Sequence, residues 1–348
     1  VIFYLGVSLT AQLTGIGFVL ELVAGVPLSV SVGAVFLASL LYTIYGGLET
    51  SIFTDGLQAL LIGALLVVLS LVLLGGGPGG AEAFSRGSLT GATGLDPRWR
   101  AIAGWKGGLA LVLAISSASL FNQGTWQRVW AMDGVSTVRR SFLWAAPLSA
   151  LVVAACGTAG LWASALGRAE PPSAALFNLL AGSSPVVGAL VAGLGVALVM
   201  SSADTVLSAL SSMIGTEVDL VRPHVPPDQR LRWSRWGLLV LAVPVGTVAV
   251  RGYSVLYLFL IADLVCAAAA YPVFAGLFDE EHGTRSARGG MLAGLIVGAV
   301  LFPGPARMSA LWAPFAAAVG VSVCVSLALR PFEPSPPDRL GTPPPDSC

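Results

Sequence analysis

Hydroxyl groups and one carboxylate share a face of an otherwise apolar stretch, residues 185–216. At about 100° per residue, a helix collects these side chains on one side: Ser201, Asp204, Thr205, Ser208, Ser211 and Ser212, with Ser202 at the margin. Hard oxygen donors of this kind suit an alkali cation better than a transition metal. The alternative is structural, because small hydroxyls also allow close helix packing and hydrogen-bond to their own carbonyl groups. The carboxylate of Asp204 favours the ion-binding interpretation.

Amide side chains interrupt a second apolar stretch, residues 106–131. The amide cluster is Asn122, Gln123 and Gly124, and the serines before it are Ser116, Ser117 and Ser119. Amides beside a helix-breaking glycine are typical of a broken helix that lines a substrate cavity. The alternative is a plain polar helix end at the membrane interface, formed by Gln127, Arg128 and Asp133.

A third polar residue, Asp263, lies in the middle of an apolar stretch, residues 253–278. An acid at this depth costs several kcal/mol unless it is paired or faces water. Asp263 could hold a cationic or hydrogen-bond-donating substrate, or it could pair with a neighbouring helix. The sequence leaves both interpretations open.

The elements that must position these residues are long and apolar. The chain has 348 residues, of which 55% are hydrophobic and 10% charged, and its mean hydropathy is +0.84. Soluble domains average about 25% charged residues, so this composition predicts a membrane protein. A net charge of zero gives no electrostatic argument for nucleic-acid binding. The four scattered cysteines and the two histidines in hydrophilic stretches argue against a disulfide framework, a zinc or haem site and histidine-based catalysis.

Ten stretches approach the length of about 20 apolar residues that a spanning helix needs. They are residues 1–24, 27–46, 55–76, 106–131, 138–166, 185–216, 231–250, 253–278, 287–302 and 307–329. Glycine and proline separate them, for example at Gly46-Gly47 and at Pro226-Pro227. No stretch combines a nucleophile, a base and an orienting group, so we do not expect an enzyme.

The basic residues predict the orientation of these stretches. If residue 1 lies on the cytoplasmic side, eleven of the 18 basic residues fall in inner loops and the tail, as the positive-inside rule requires. Both ends of the chain are therefore expected in the cytoplasm, in a multi-pass protein of the plasma membrane. Residues 1–329 form one expected transmembrane domain, and the proline-rich residues 330–348 form an expected disordered tail.

Three motifs in order resemble the sodium:solute symporter family, which includes proline, sugar, choline and urea-type transporters. They are YTIYGGLETSIFTDGLQ at 42–58, FNQGTWQRVWAMD at 121–133 and VMSSADTVLSALSSMIGTEVD at 199–219. The resemblance covers the chain to about residue 329. It implies an all-α, polytopic, LeuT-type fold of two inverted five-helix repeats.

On this resemblance the first stretch corresponds to the third core helix, so the ten stretches are core helices three to ten and two additional helices. The first residue is Val1 rather than Met. We therefore expect an N-terminally truncated chain that lacks its first two core helices and does not transport alone.

The resemblance also implies an ion site. Ser201, Ser202 and the backbone carbonyl of Leu198 match ligands of the common sodium ion, Na+, whose other ligands come from the first core helices. Asp55 matches an acid associated with a second sodium in some members, alongside Ser201, Asp204 and Thr205. Because Asp204 stands where some members carry serine, the number of sodium ions stays open. Asp55 could also be a helix N-cap worth about 1 kcal/mol.

For the solute, the resemblance implies contacts from Ser116, Ser119, Asn122 and Gln123, with Asp263 as a further candidate. The aromatic residues that stack on a sugar in the sugar members have no counterpart at Ala118 and Ser119. We expect a urea-like solute first, and choline or an amino acid next.

The expected mechanism is alternating access, in which external sodium stabilises the outward-open state and is released inward with the solute. Two other hypotheses remain. One is a transporter-like sensor or channel without coupled flux. The other is proton coupling through Asp204 or Asp263.

Overall fold

The computed structural model describes residues 1–74, 102–165, 167–168, 170, 175–180, 184–279, 282–304 and 311–332. Within these residues the protein is helical and contains no strand. The helices are α1 Ile2–Ala24, α2 Leu28–Leu74, α3 Ile102–Leu120, α4 Gln123–Trp130, α5 Val135–Ala165, α6 Ala175–Leu179, α7 Pro185–Val221, α8 Pro227–Ala249, α9 Val255–Phe278, α10 Thr284–Leu301 and α11 Trp312–Leu329, with a 3₁₀ turn at Arg330–Phe332.

The apolar stretches form the predicted helices, and six helical segments of the described chain are long and apolar enough to cross a membrane. Individual glycine and proline residues determine where some of these helices begin and end. Gly25, with φ of 67°, closes α1 by donating its N–H to the carbonyl of Glu21. Pro227 begins α8, where a missing N–H costs nothing.

The boundary predicted between residues 46 and 55 is wrong, because α2 runs through it for 47 residues. At about 1.5 Å per residue, α2 is about 70 Å long. Glycine disfavours a helix by only about 1 kcal/mol per residue, and the Gly46-Gly47 pair does not end α2, which continues on both sides of it. The predicted tail falls mainly on residues 333–348, and most of the chain between the predicted stretches 55–76 and 106–131 falls on residues 75–101. Both ranges lie outside the described residues.

The chain divides into two compact units. The first comprises Val1–Trp105 and Phe121–Ala262. In it, α7 packs against α1, α2, α4 and α8. Its core contains fully buried leucines of α1 and α7, among them Leu13 and Leu210. The Thr14 hydroxyl, also fully buried, lies 2.9 Å from the Thr10 carbonyl and 3.2 Å from the Ala249 carbonyl, so it ties α1 to the end of α8.

The second unit comprises Lys106–Leu120 and Asp263–Cys348. Its main contact is between α10 and α11. Three glycines spaced one turn apart on α10 (Gly290, Gly294 and Gly298) lie against small residues of α11, where a Cβ at any of them would meet Ser326, Ser322 or Ala318. Small residues at this spacing are the usual means by which membrane helices approach closely.

Candidate ion-binding site

Three helices of the first unit bring a polar cluster together. α2 supplies Asp55, α4 supplies Arg128, and α7 supplies Ser201. The Arg128 guanidinium donates to Oδ2 of Asp55 in an ion pair, and the Ser201 hydroxyl donates to Oδ1 of Asp55 over 2.8 Å. Both oxygens of this carboxylate are therefore engaged by protein donors.

Arg128 links α4 to the other two helices. One terminal nitrogen, Nη2, also lies 2.8 Å from the Thr205 hydroxyl and 3.5 Å from the Ser51 hydroxyl. The other, Nη1, donates to the Gly124 carbonyl of its own helix over 3.1 Å. The side chains of Arg128 and Asp55 are each 25% exposed, so the pair is largely withdrawn from solvent.

The second acid of the cluster, Asp204, is completely buried. Thr54 of α2 donates its hydroxyl to Oδ2 of Asp204 over 3.0 Å, and the Thr205 hydroxyl lies 3.3 Å from Oδ1. The Thr205 hydroxyl also donates to the Ser201 carbonyl over 2.9 Å. With Asp55, Asp204 and Arg128 ionised, the cluster carries a net charge of minus one.

At the edge of the polar face of α7, Ser202 and Leu198 are more exposed than the residues at the centre of that face. Ser202 is exposed, and its hydroxyl donates to the Leu198 carbonyl over 3.1 Å. The Leu198 side chain is also exposed. The structure thus brings Ser201 to Asp55 and Ser202 to Leu198, and it places the two neighbouring serines in different surroundings.

The predicted interruption of the fourth apolar stretch is present, because α3 ends at Leu120 and α4 begins at Gln123. Asn122 is the N-cap of α4, and its side-chain oxygen accepts the Thr125 N–H over 3.2 Å. Gly124 is buried against α7, where a Cβ would collide with the Thr205 methyl group. The break therefore aims a short helix at α7 and carries Arg128 into the cluster.

Three other predicted solute residues belong to the second unit. Ser116 and Ser119 are exposed, and the Ser119 hydroxyl donates to the Ile115 carbonyl over 2.7 Å. Asp263 is 7% exposed, and within the described residues it makes no hydrogen bond. Asn122 and Gln123, in the first unit, are both half-buried.

A family model, that of the sodium:solute symporter family, matches residues 1–298. The chain belongs to this family. The predicted family is therefore confirmed, and this symporter-family chain is a multi-pass membrane protein.

Two curated relatives are similar in sequence. A spermidine transporter of Candida albicans is 26% identical over 276 residues, which cover 78% of this chain and 50% of the relative. A sodium/glucose cotransporter of Vibrio parahaemolyticus is 26% identical over 252 residues, which cover 65% of this chain and 46% of the relative. The chain spans about half the length of the curated relatives it matches.

A solved structure is similar in fold. The substrate-bound, outward-open state of a Na+-coupled sialic acid symporter superposes with a TM-score of 0.66 at 17% identity, covering 94% of this chain and 74% of that one. This likeness confirms the predicted all-α, LeuT-type fold.

The contacts of Arg128 in this symporter-family chain are not predicted by the sequence, because a basic residue near the end of an apolar stretch is equally typical of a polar helix end at the membrane interface. The structure places its charge between two carboxylate-bearing helices instead. A signal was present: two acids predicted at one site, Asp55 and Asp204, need a nearby positive charge. Arg128 also follows Gly124 by one helical turn, so a break that turns α4 toward α7 turns Arg128 with it.

Proposed function

We propose that the protein expressed from its complete gene is a sodium-coupled symporter that imports a small polar solute by alternating access. Family membership supports the reaction class. The observation that carries the proposal is the cluster of hard oxygen donors in apolar helices α2 and α7, to which Ser201 of the proposed sodium site belongs. Ionisable groups at this depth are costly inside a bilayer unless they serve an ion or a solute.

Sodium coupling would supply useful energy. A membrane potential of about 100 mV contributes about 2.3 kcal/mol per charge, and a tenfold sodium gradient adds about 1.4 kcal/mol. One sodium per neutral solute therefore supports accumulation of roughly several hundredfold.

We assign the common sodium to the Leu198 carbonyl and the hydroxyls of Ser201 and Ser202, with further ligands from the first core helices of the family. For the second candidate site, at Asp55, Asp204 and Thr205, the geometry favours a different occupant. Arg128 already neutralises Asp55 and contacts Thr205, so it holds the position that a second cation would take. The proposed coupling ratio is accordingly one sodium per solute.

For the solute, the proposed contacts are Ser116, Ser119, Asn122, Gln123 and Asp263. A urea-like molecule is the first candidate, and choline or an amino acid the next. The spermidine transporter among the relatives adds a cationic candidate, which the buried Asp263 carboxylate would suit.

The test is uptake of labelled urea, choline, proline, spermidine and glucose into proteoliposomes with and without a sodium gradient. Ser202→Ala should raise the sodium concentration for half-maximal uptake about tenfold, because one ligand worth about 1.4 kcal/mol is lost. Ser70→Ala is the matched control, since Ser70 is also exposed and also hydrogen-bonds four residues back, to Leu66.

Unchanged sodium dependence in Ser202→Ala would overturn the site assignment. Saturable binding without uphill accumulation would identify a sensor or channel. Accumulation driven by a pH gradient in sodium-free medium would assign the coupling to protons. A reversal-potential measurement gives the sodium count directly, and a ratio of two would contradict the role proposed for Arg128.

A further inference from the structure

A second polar feature of the first unit is a cavity of about 550 Å³ between the end of α7, the start of α8 and the middle of α2. Its walls include Ser208, Ser211 and Ser212 of α7, Thr43 of α2, and Ser234 and Arg235 of α8. We call it the α7–α8 pocket. None of the acids or hydroxyls assigned above to sodium lines it.

Buried polar atoms without partners surround this pocket. Thr43 is 5% exposed, and its hydroxyl makes no hydrogen bond among the described residues. Two further buried atoms also make no hydrogen bond among the described residues, Nε of Arg235 and Oε1 of Gln127, and both residues line the pocket. A buried polar group left without a partner costs about 1–3 kcal/mol, so three around one cavity indicate a polar occupant.

The charge of the walls indicates the sign of that occupant. Arg230 is paired with Asp219 over 2.5 Å, so these two charges cancel. Arg235 makes no ion pair within the described residues, and its guanidinium lies 5.9 Å from the Tyr45 ring. The pocket therefore has a net charge of plus one and many hydroxyl donors, which together suit an anion with several oxygen acceptors.

The position of the pocket indicates where such an anion comes from. It lies where α7 ends and α8 begins, next to the exposed residues Trp233 and Trp236. Arg222 stacks over the Trp233 ring at 5.8 Å. Tryptophan and arginine concentrate at the headgroup level of membranes, and basic pockets between helices bind anionic headgroups there.

We propose that the α7–α8 pocket binds a phosphate group, with the headgroup of an anionic phospholipid as its source. Arg235 supplies the charge, and the hydroxyls of Thr43 and the α7 serines supply neutral donors. This site is separate from the proposed sodium and solute sites, so its test does not depend on transport.

The test measures thermal unfolding of the purified protein in detergent during titration with dioctanoyl phosphatidylglycerol, dioctanoyl phosphatidylcholine or inorganic phosphate. Phosphatidylglycerol should raise the unfolding temperature in a saturable manner, and phosphatidylcholine should not. Arg235→Gln should raise the apparent Kd for phosphatidylglycerol about tenfold or more, as loss of a charge-assisted hydrogen bond predicts. The control is Arg232→Gln, which removes the same charge from an exposed position of α8 outside the pocket.

A second variant, Thr43→Val, removes one hydroxyl at nearly constant shape and should weaken binding by a smaller factor, so the proposal remains testable if Arg235→Gln does not fold. Arg235-dependent stabilisation by inorganic phosphate at comparable concentrations would support the phosphate site and identify the free anion as its source. Equal stabilisation by phosphatidylcholine would overturn the proposal. So would an equal loss of binding in Arg232→Gln and Arg235→Gln.

Discussion

At the scale of single residues, the cluster depends on how one guanidinium is shared. Arg128 neutralises Asp55 and contacts Thr205, while the hydroxyls of Thr54 and Thr205 lie against Asp204. A guanidinium is suited to this position because it is permanently charged and donates in several directions at once. Lysine would supply the charge without the planar set of donors that reaches Asp55, Thr205 and Gly124 together.

The Asp55–Arg128 pair should be strongly coupled. We predict a coupling free energy of about 1–3 kcal/mol from a double-mutant cycle of Asp55→Asn and Arg128→Gln, because removing one partner leaves the other partly buried and uncompensated. The measurement is the free energy of unfolding of the purified protein in detergent.

The control cycle uses Asp219→Asn and Arg230→Gln. That pair is 39% and 45% exposed, compared with 25% for both members of the Asp55–Arg128 pair. Its coupling should be about 0–1 kcal/mol, as is usual for exposed pairs. Equal coupling in the two cycles would contradict a special role for Arg128.

The polar residues of the site were largely predictable, and their pairing was not. The helical face of α7 follows from a period of 3.6 residues, and the resemblance placed Asp55 beside Ser201, as the structure does. The partners of Arg128 and Asp204 depend on how α2 and α4 approach α7. That approach is a matter of tertiary packing, which spacing along one chain does not encode.

At the scale of elements, α4 shows how a local sequence feature, the Asn122 cap followed by Gly124, determines the position of the Arg128 charge. Asn122 satisfies a free N–H at the start of α4, so the chain can stop one helix and begin another within two residues. The buried Gly124 then lets α4 lie directly against Thr205. The sequence predicted this break from Asn122, Gln123 and Gly124, whereas the continuity of α2 through two glycines was not predicted.

Gly124→Ala should therefore separate α4 from α7. We predict a loss of about 1–3 kcal/mol in the free energy of unfolding, typical of overpacking, and a larger proportional loss of sodium-dependent uptake because Arg128 moves with the helix. Thermal unfolding and uptake are measured in parallel on the same preparations.

The matched control is Gly108→Ala in α3, where an added Cβ meets nothing within 4 Å. Alanine is a better helix former than glycine, so this variant should be as stable as the parent or more stable by about 0.5–1 kcal/mol. A Gly124→Ala protein that behaves like Gly108→Ala would show that the close approach of α4 to α7 is unimportant.

At the scale of the whole molecule, the length of α2 bears on how the chain is threaded through the membrane. The hydrocarbon core is about 30 Å thick, and α2 is about 70 Å long. Two crossings within residues 28–74 place positions 27 and 133 on opposite sides of the membrane, whereas a single crossing places them on the same side. The two apolar stretches 27–46 and 55–76 predict two crossings, and the basic residues of the later loops then place both Asp133 and His224 inside and Pro27 outside.

Thiol labelling tests this arrangement. In the protein expressed from its complete gene with its native cysteines replaced, Pro27→Cys should react with a membrane-impermeant maleimide added to intact cells. Asp133→Cys and His224→Cys should react only after permeabilisation. The three positions are exposed in the structure, so accessibility reports the side of the membrane rather than burial.

The labelling result decides whether residues 28–74 cross the membrane once or twice. If Pro27→Cys and Asp133→Cys label from the same side, α2 crosses once, and a large part of its apolar surface must lie outside the bilayer against other protein. The eleven basic residues assigned to the inside all follow α2, so with residue 1 on the inside all of them would then lie outside, contrary to the positive-inside rule. Labelling from opposite sides requires α2 to break at residues 46–54, where the structure has a continuous helix. The acid paired with Arg128 would then lie near the point where the chain re-enters the membrane.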